Sequence, residues 1–256
     1  MITNAAALAA LTSKPKSDEI TLKLLQDFYD DYLKPYRFTY ELGDGFVFRL
    51  DFQEKAFCHI VGVENVIKGS VSAKEQEKYR GDRGYQGIKN GTIDFKTLKD
   101  IGGKLKFNDS KIKFVHFYLL PQILAAPNQC VYYKVVVNRI QCDLLIFDVM
   151  ENAYIHLGIE KGDNGLYVPR TFLIEKITAT STGTKFIDPQ PGEPIAVVKT
   201  TRTVRNSTTA ATPVPNPVTA ETPAAATPAV TVPATNQPNT PQSSDPSSST
   251  PSKTGP

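Results

Sequence analysis

Three histidines, His59, His116 and His156, are the side chains whose ordinary pKa lies near neutrality. His59 stands in Phe57-Cys58-His59-Ile60-Val61-Gly62, and His156 in Asn152-Ala153-Tyr154-Ile155-His156-Leu157-Gly158. A third segment, Tyr167-Val168-Pro169-Arg170-Thr171-Phe172, sets a planar cation beside a hydroxyl donor. Its Pro169 cannot donate to a sheet ladder and marks an edge or bulge. Together these groups suit one metal-free reaction, cleavage of RNA. A base takes the proton of the ribose 2′-OH, an acid protonates the leaving 5′ oxygen, and a cation stabilises the phosphorane. On that reading His59 is the base, His156 the acid and Arg170 the cation, with Thr171 orienting a phosphate oxygen. Each segment also has a plain structural reading. His59 among apolar neighbours fits a satisfied core residue. The face Tyr154, His156 and Gly158 fits a solvated sheet surface, and Arg170 fits an edge strand. His116, within an apolar helical run, reads as structural.

Other chemistries lack their loops. No HExxH, GxxxxGK[ST], GxSxG, or strand-to-helix GxGxxG is present. Cys58, Cys130 and Cys142 are odd in number and not closely spaced, which argues against a disulfide framework or a cysteine zinc site. No cofactor or metal is expected. A reducing compartment, the cytoplasm, is the simplest setting. No run of about 18 apolar residues exists to span a membrane.

The elements that must position these residues divide into a helical half and a β half. Ser17 is placed to cap a helix carrying Ile20, Leu24, Leu25, Phe28 and Leu33, and Pro35 ends it. Phe38–Leu42 and Phe46–Leu50 alternate around Gly43-Asp44-Gly45, a hairpin signature. Ala56–Val66 has helical character, Ile93–Ile101 reads as a short amphipathic helix, and Asp109 or Ser110 is placed to cap an apolar helix kinked near Pro121. Strands are expected at Cys130–Val137, Leu144–Val149, Ala153–Ile159, Leu166–Ile174 and Ile195–Thr200. The resulting fold class is α+β: N-terminal helices, then an antiparallel sheet of about four strands.

Composition sets the boundaries. All 24 aromatic residues fall in the first 205 positions, whereas residues 206–256 hold 11 of the 19 prolines and only three charges. A segment so poor in apolar surface cannot offset the entropy of ordering. The expected organisation is a loose leader at 1–16, a folded domain at 17–205 and a disordered Pro/Thr/Ala/Ser-rich tail at 206–256. Residues 1–205 have 28 basic against 24 acidic residues, a mild excess compatible with nucleic acid.

In order and motif, the chain resembles the phage-associated ribonucleases of the Barnase–EndoU–colicin–RelE fold, phage-linked group four. Phe52-Gln53-Glu54-Lys55-Ala56-Phe57-Cys58-His59-Ile60-Val61-Gly62 is similar to that group's F-x-x-x-x-F-x-H-L-x-G stretch. Tyr85-Gln86-Gly87-Ile88-Lys89-Asn90-Gly91-Thr92-Ile93 is similar to its Ile-Lys-x-Gly-x-Ile helix end, and the His156 and Arg170 segments follow in the same order. Cys58 departs from the pattern, and the tail is not part of it. The resemblance covers residues 20–200. It implies metal-independent ribonuclease activity, used as a toxin or effector of phages and mobile elements. RNA is then a partner, together with an immunity or antitoxin protein. Lys89, Tyr154 and Tyr167 join the site as RNA-binding residues. A non-catalytic module binding RNA or protein is the alternative, with Tyr133, Tyr154 and Tyr167 as stacking platforms. A tail-dominated interaction protein is a third.

Overall fold

The computed structural model describes residues 1–125, 127, 129–132, 142–189, 193–205 and 212–213. Helices come first, as the periodicity predicts, with different boundaries. The leader is not loose throughout: α1 (Ala5–Ala9) is capped by the Asn4 side chain and buries Leu8. Helix α2 (Leu22–Tyr32) starts one turn later than the Ser17 reading. Its cap is Thr21, whose hydroxyl accepts from the Leu24 N–H at 3.0 Å. The predicted hairpin follows as β1 (Tyr36–Leu42) and β2 (Val47–Asp51). Five helices come next: α3 (Phe57–Val61), α4 (Val63–Ile67), α5 (Ala73–Gln76), α6 (Gly81–Lys89) and α7 (Phe95–His116). Helix α7 is capped by Asp94 and does not restart at Asp109; it turns a corner at Gly103, where φ is 77°. Gly102 beside that corner lets α7 close on α4, since a Cβ there would sit 2.3 Å from the Val66 carbonyl oxygen. Helix α8 (Leu120–Ala125) follows a 3-10 turn, with Pro121 in its first turn, where proline is tolerated.

The strands expected after the helices are β3 (Gln129–Tyr132), β4 (Leu144–Met150), β5 (Ala153–Lys161), β6 (Tyr167–Lys176) and β7 (Ile195–Val204). β3 to β6 form the expected antiparallel meander. A sheet of about four antiparallel strands is nevertheless too small. The hairpin joins the same sheet, β2 pairs parallel with β6 through Leu50 and Tyr167, and β7 pairs with both β3 and β1. The sheet is therefore mixed and curled. Six strands have five or more residues, to which the described residues add β3 and the two-residue β8 (Thr212–Pro213). The physical reason is edge closure: β7 supplies partners for backbone groups that an isolated meander and hairpin would each leave unpaired. Apart from Thr212–Pro213, the expected disordered tail lies outside the described residues.

One continuous core fills the space between the concave face of the sheet and the helices. Phe38, Tyr40 and Leu42 of β1, Leu157 of β5 and Phe172 of β6 meet Phe28, Phe57 and Phe117 there. The Tyr40 hydroxyl donates to the Leu124 carbonyl at 3.0 Å, tying the hairpin to α8. A second, smaller cluster lies on the outer face of β4 and β5, where Leu145 and Phe147 pack with Tyr154 and Ile187. Among the described residues, no helix is long and apolar enough to cross a membrane.

Candidate active site

The five residues of α3 show why His59 is accessible. Phe57, Cys58, Ile60 and Val61 are all buried, so the helix turns every neighbour of His59 inward and leaves the imidazole 37% exposed. Gly62 then adopts a left-handed conformation, φ 96°, reversing the chain so that Glu64 in the first turn of α4 comes back toward the ring. His59 Nδ1 lies 3.2 Å from Glu64 Oε2. Because a carboxylate only accepts, Nδ1 donates in this contact, which leaves Nε2 as the acceptor of the neutral ring, the form a general base requires. The same Glu64 oxygen is 3.6 Å from Arg80 Nε. Arg80 is held in place by Gln76 Oε1 at 3.0 Å and Glu77 Oε1 at 3.4 Å. Beneath this trio, burial raises the Cys58 thiol well above its usual range and Glu64 raises it further, so the sulfur is a neutral packing group.

His156 has the opposite surroundings. It is fully buried on the outer face of β5, with Phe147, Tyr154 and Phe186 ring centroids 6.0, 6.0 and 5.7 Å away. Neither ring nitrogen has a hydrogen-bond partner among the described residues. Burial is the main cause that pushes its pKa down to about 4, against a smaller opposing pull from the Leu173 and Tyr154 backbone. A neutral imidazole sealed by rings neither reaches a substrate nor carries at pH 7 the second proton that a general acid gives up.

Arg170 and Thr171 lie on that same outer face. Gly158 pairs with Thr171 and Ile159 with Pro169, which leaves Arg170 as the extra residue of a bulge, in line with the proline signal. Its guanidinium is 41% exposed and 3.5 Å from Glu160. Thr171 is packed so closely that a Cβ on Gly158 would sit 2.7 Å from its methyl group. Helix α3 lies across the sheet, because Phe57 packs edge-to-face on Phe117 and Phe117 likewise on Phe172, the core-facing neighbour of Thr171. The expectation that His59, His156, Arg170 and Thr171 line one concavity is therefore corrected. His59 stands on the helical side of β6, the other three on its far side.

The RNA-binding set also disperses. Tyr167 is 8% exposed and packs edge-on against Phe48 at 5.4 Å, so it offers no stacking face. Tyr154 is half-buried in the outer cluster, Lys89 is exposed at the end of α6, and Tyr133 lies outside the described residues. The residues that the sequence reading missed are Glu64 and Arg80. Glu64 was within reach of inspection, five positions after His59 across a glycine; Arg80 arrives from a separate turn and carries no local signal. Among the described residues, no three His, Cys, Asp or Glu side chains gather closely enough to hold a metal ion.

A sequence model of the family described as phage-Barnase-EndoU-ColicinE5/D-RelE like nuclease4 matches residues 21–188, more than half of the chain. The chain belongs to this nuclease family. No curated protein and no solved structure gives a significant match. The span matched by the family model contains α3, α4, Arg80 and the whole meander. Both the exposed and the sealed histidine therefore belong to the family region, while the leader and β7 flank it.

Proposed function

We propose that the protein is an endoribonuclease that cuts RNA without a metal ion, leaving a 2′,3′-cyclic phosphate, with His59 as its general base. His59 Nε2 takes the 2′-OH proton. The 2′ oxygen bonds to phosphorus, the P–O5′ bond breaks, and the 5′ oxygen leaves with a proton from water. Glu64 is a positioning residue that holds the tautomer and stabilises the imidazolium as it forms. Arg80 offers its guanidinium to the charge growing on the phosphate. The observation that carries this reading is the His59–Glu64 contact at 3.2 Å on an exposed surface of a nuclease-family chain. We propose as well a toxin or effector role for a phage or mobile element, with an immunity protein as partner. Growth arrest on expression, relieved by His59→Ala, is the outcome that role requires.

The deciding experiment incubates the purified full chain with RNA in EDTA and identifies the product ends. Cyclic phosphate ends, with a rate loss of about 10²–10⁴ for His59→Ala, are expected. RNA that stays intact, or that is cut equally well by the variant, overturns the proposal.

A further inference from the structure

A cavity of about 630 Å³ opens between the leader, the second half of α7 and the end of β6. Its wall carries Lys14, Lys16, Lys111 and Lys176, with Asp18 as the acidic lining residue. None of the four lysines has an ion-pair partner among the described residues, whereas Lys23, Lys34, Lys78, Lys96 and Lys185 each face a carboxylate. Four like charges converging on a concavity repel one another unless an anion sits among them, and the concave shape concentrates their field. The volume falls in the usual range for ligand sites.

The site is built. The leader is anchored there: the Lys16 N–H donates to Glu19 Oε2 at 2.7 Å, the Ile2 N–H donates to the Glu19 carbonyl at 2.9 Å, and Pro15 is buried. At the cavity floor His116, 2% exposed, donates from Nδ1 to the Ile112 carbonyl at 2.7 Å, which leaves Nε2 as an acceptor. Burial lowers its pKa against an opposing pull from the Ile112 carbonyl, and the charges of Lys14 and Lys176, which lower it, and of Glu151, which raises it, are all felt at the ring. The cavity also connects to the His59 turn through α7. Asn108, Lys111, Ile112 and Val115 form the helix stripe facing the cavity, while Ser110 and Lys113 on the other side lie against Gly62.

We propose that this cavity binds the phosphate backbone of a single RNA strand, its four lysines taking successive phosphates. The proposal rests on the nuclease reading for the identity of the anion. Its test measures binding of the full chain to a 2′-O-methyl RNA oligonucleotide, which has no free 2′-OH to attack. The variant Lys14→Gln/Lys16→Gln/Lys111→Gln/Lys176→Gln is compared with an equal-charge control, Lys74→Gln/Lys78→Gln/Lys96→Gln/Lys104→Gln. Releasing about 0.7 counterion per phosphate, the cavity variant should flatten the log K versus log salt slope by about 3 and weaken binding on the order of 100-fold at 0.1 M salt. The control should stay within about threefold. Equal losses in both variants, or none in either, overturn the proposal. A wild-type chain that cuts no RNA but shows the lysine dependence would remove the nuclease reading and leave the cavity standing. Cleavage of unmodified RNA with unchanged binding by the cavity variant would do the reverse.

Discussion

His59 and His156 are the same residue type on opposite sides of one sheet, and their surroundings assign them opposite work. His59 sits on a one-turn helix whose other side chains are all buried, faces a carboxylate, and stays partly exposed. His156 sits on a central strand, is roofed by Phe186, and has neither a partner nor access among the described residues. A polar residue on the outer face of a strand is available only if nothing covers that face. Here residues 182–188 cover it, and they have no periodicity to announce themselves.

The largest expected effect separates the two residues by activity. His59→Ala should lower kcat/KM for RNA by about 10²–10⁴, or about 3–5 kcal/mol in the barrier, measured by product formation in EDTA. The next separates them by stability. The unfolded His156 titrates near 6.5 and the folded one near 4, so between those values the unfolded chain binds more protons. Stability should therefore fall as pH drops from about 6.5 to 4, by roughly 3 kcal/mol in all. His156→Leu should abolish that part of the acid sensitivity in thermal melts taken across the range. A chain equally acid-sensitive with leucine there would show that other groups dominate.

The hairpin shows what composition makes legible. Alternating residues flank Gly43-Asp44-Gly45, and Gly45 takes φ 84°, a conformation glycine adopts without strain. Glu151-Asn152, at φ 50° and 56°, likewise closes β4 and β5 as a two-residue turn. Strands β4 to β6 were readable because each turn is local. β7 was readable as a strand, but its pairing with β1, across more than 150 positions, was not. Nor was the corner in α7, where Gly103 takes φ 77° and Gly102 lets the chain close on Val66. The His59 side of the site was half legible. Its histidine stood in a distinctive stretch, but Arg80 is brought to Glu64 by the tertiary path of a polar segment.

Smaller effects sharpen the contrast further. Glu64→Gln should lower kcat by about 10–100-fold with KM little changed, and Glu64→Asp should restore part of it, since a negative charge is needed to stabilise the imidazolium as it forms. A variant that changes KM alone would place Glu64 in binding instead. His156→Leu at pH 7 should leave the melting temperature unchanged or raise it, because it removes two unpartnered nitrogens at similar volume. Arg170→Ala should change the cleavage rate by less than about threefold, its guanidinium being on the far side of β6 and near Glu160.

The central claim is that one imidazole works and the other only packs. The most direct test is to measure kcat/KM of His59→Ala and His156→Leu side by side on one RNA substrate. The account predicts a loss of at least about 100-fold for the first and a rate within about threefold of wild type for the second. Loss of cleavage in a folded His156→Leu protein, with His59→Ala still active, would contradict it.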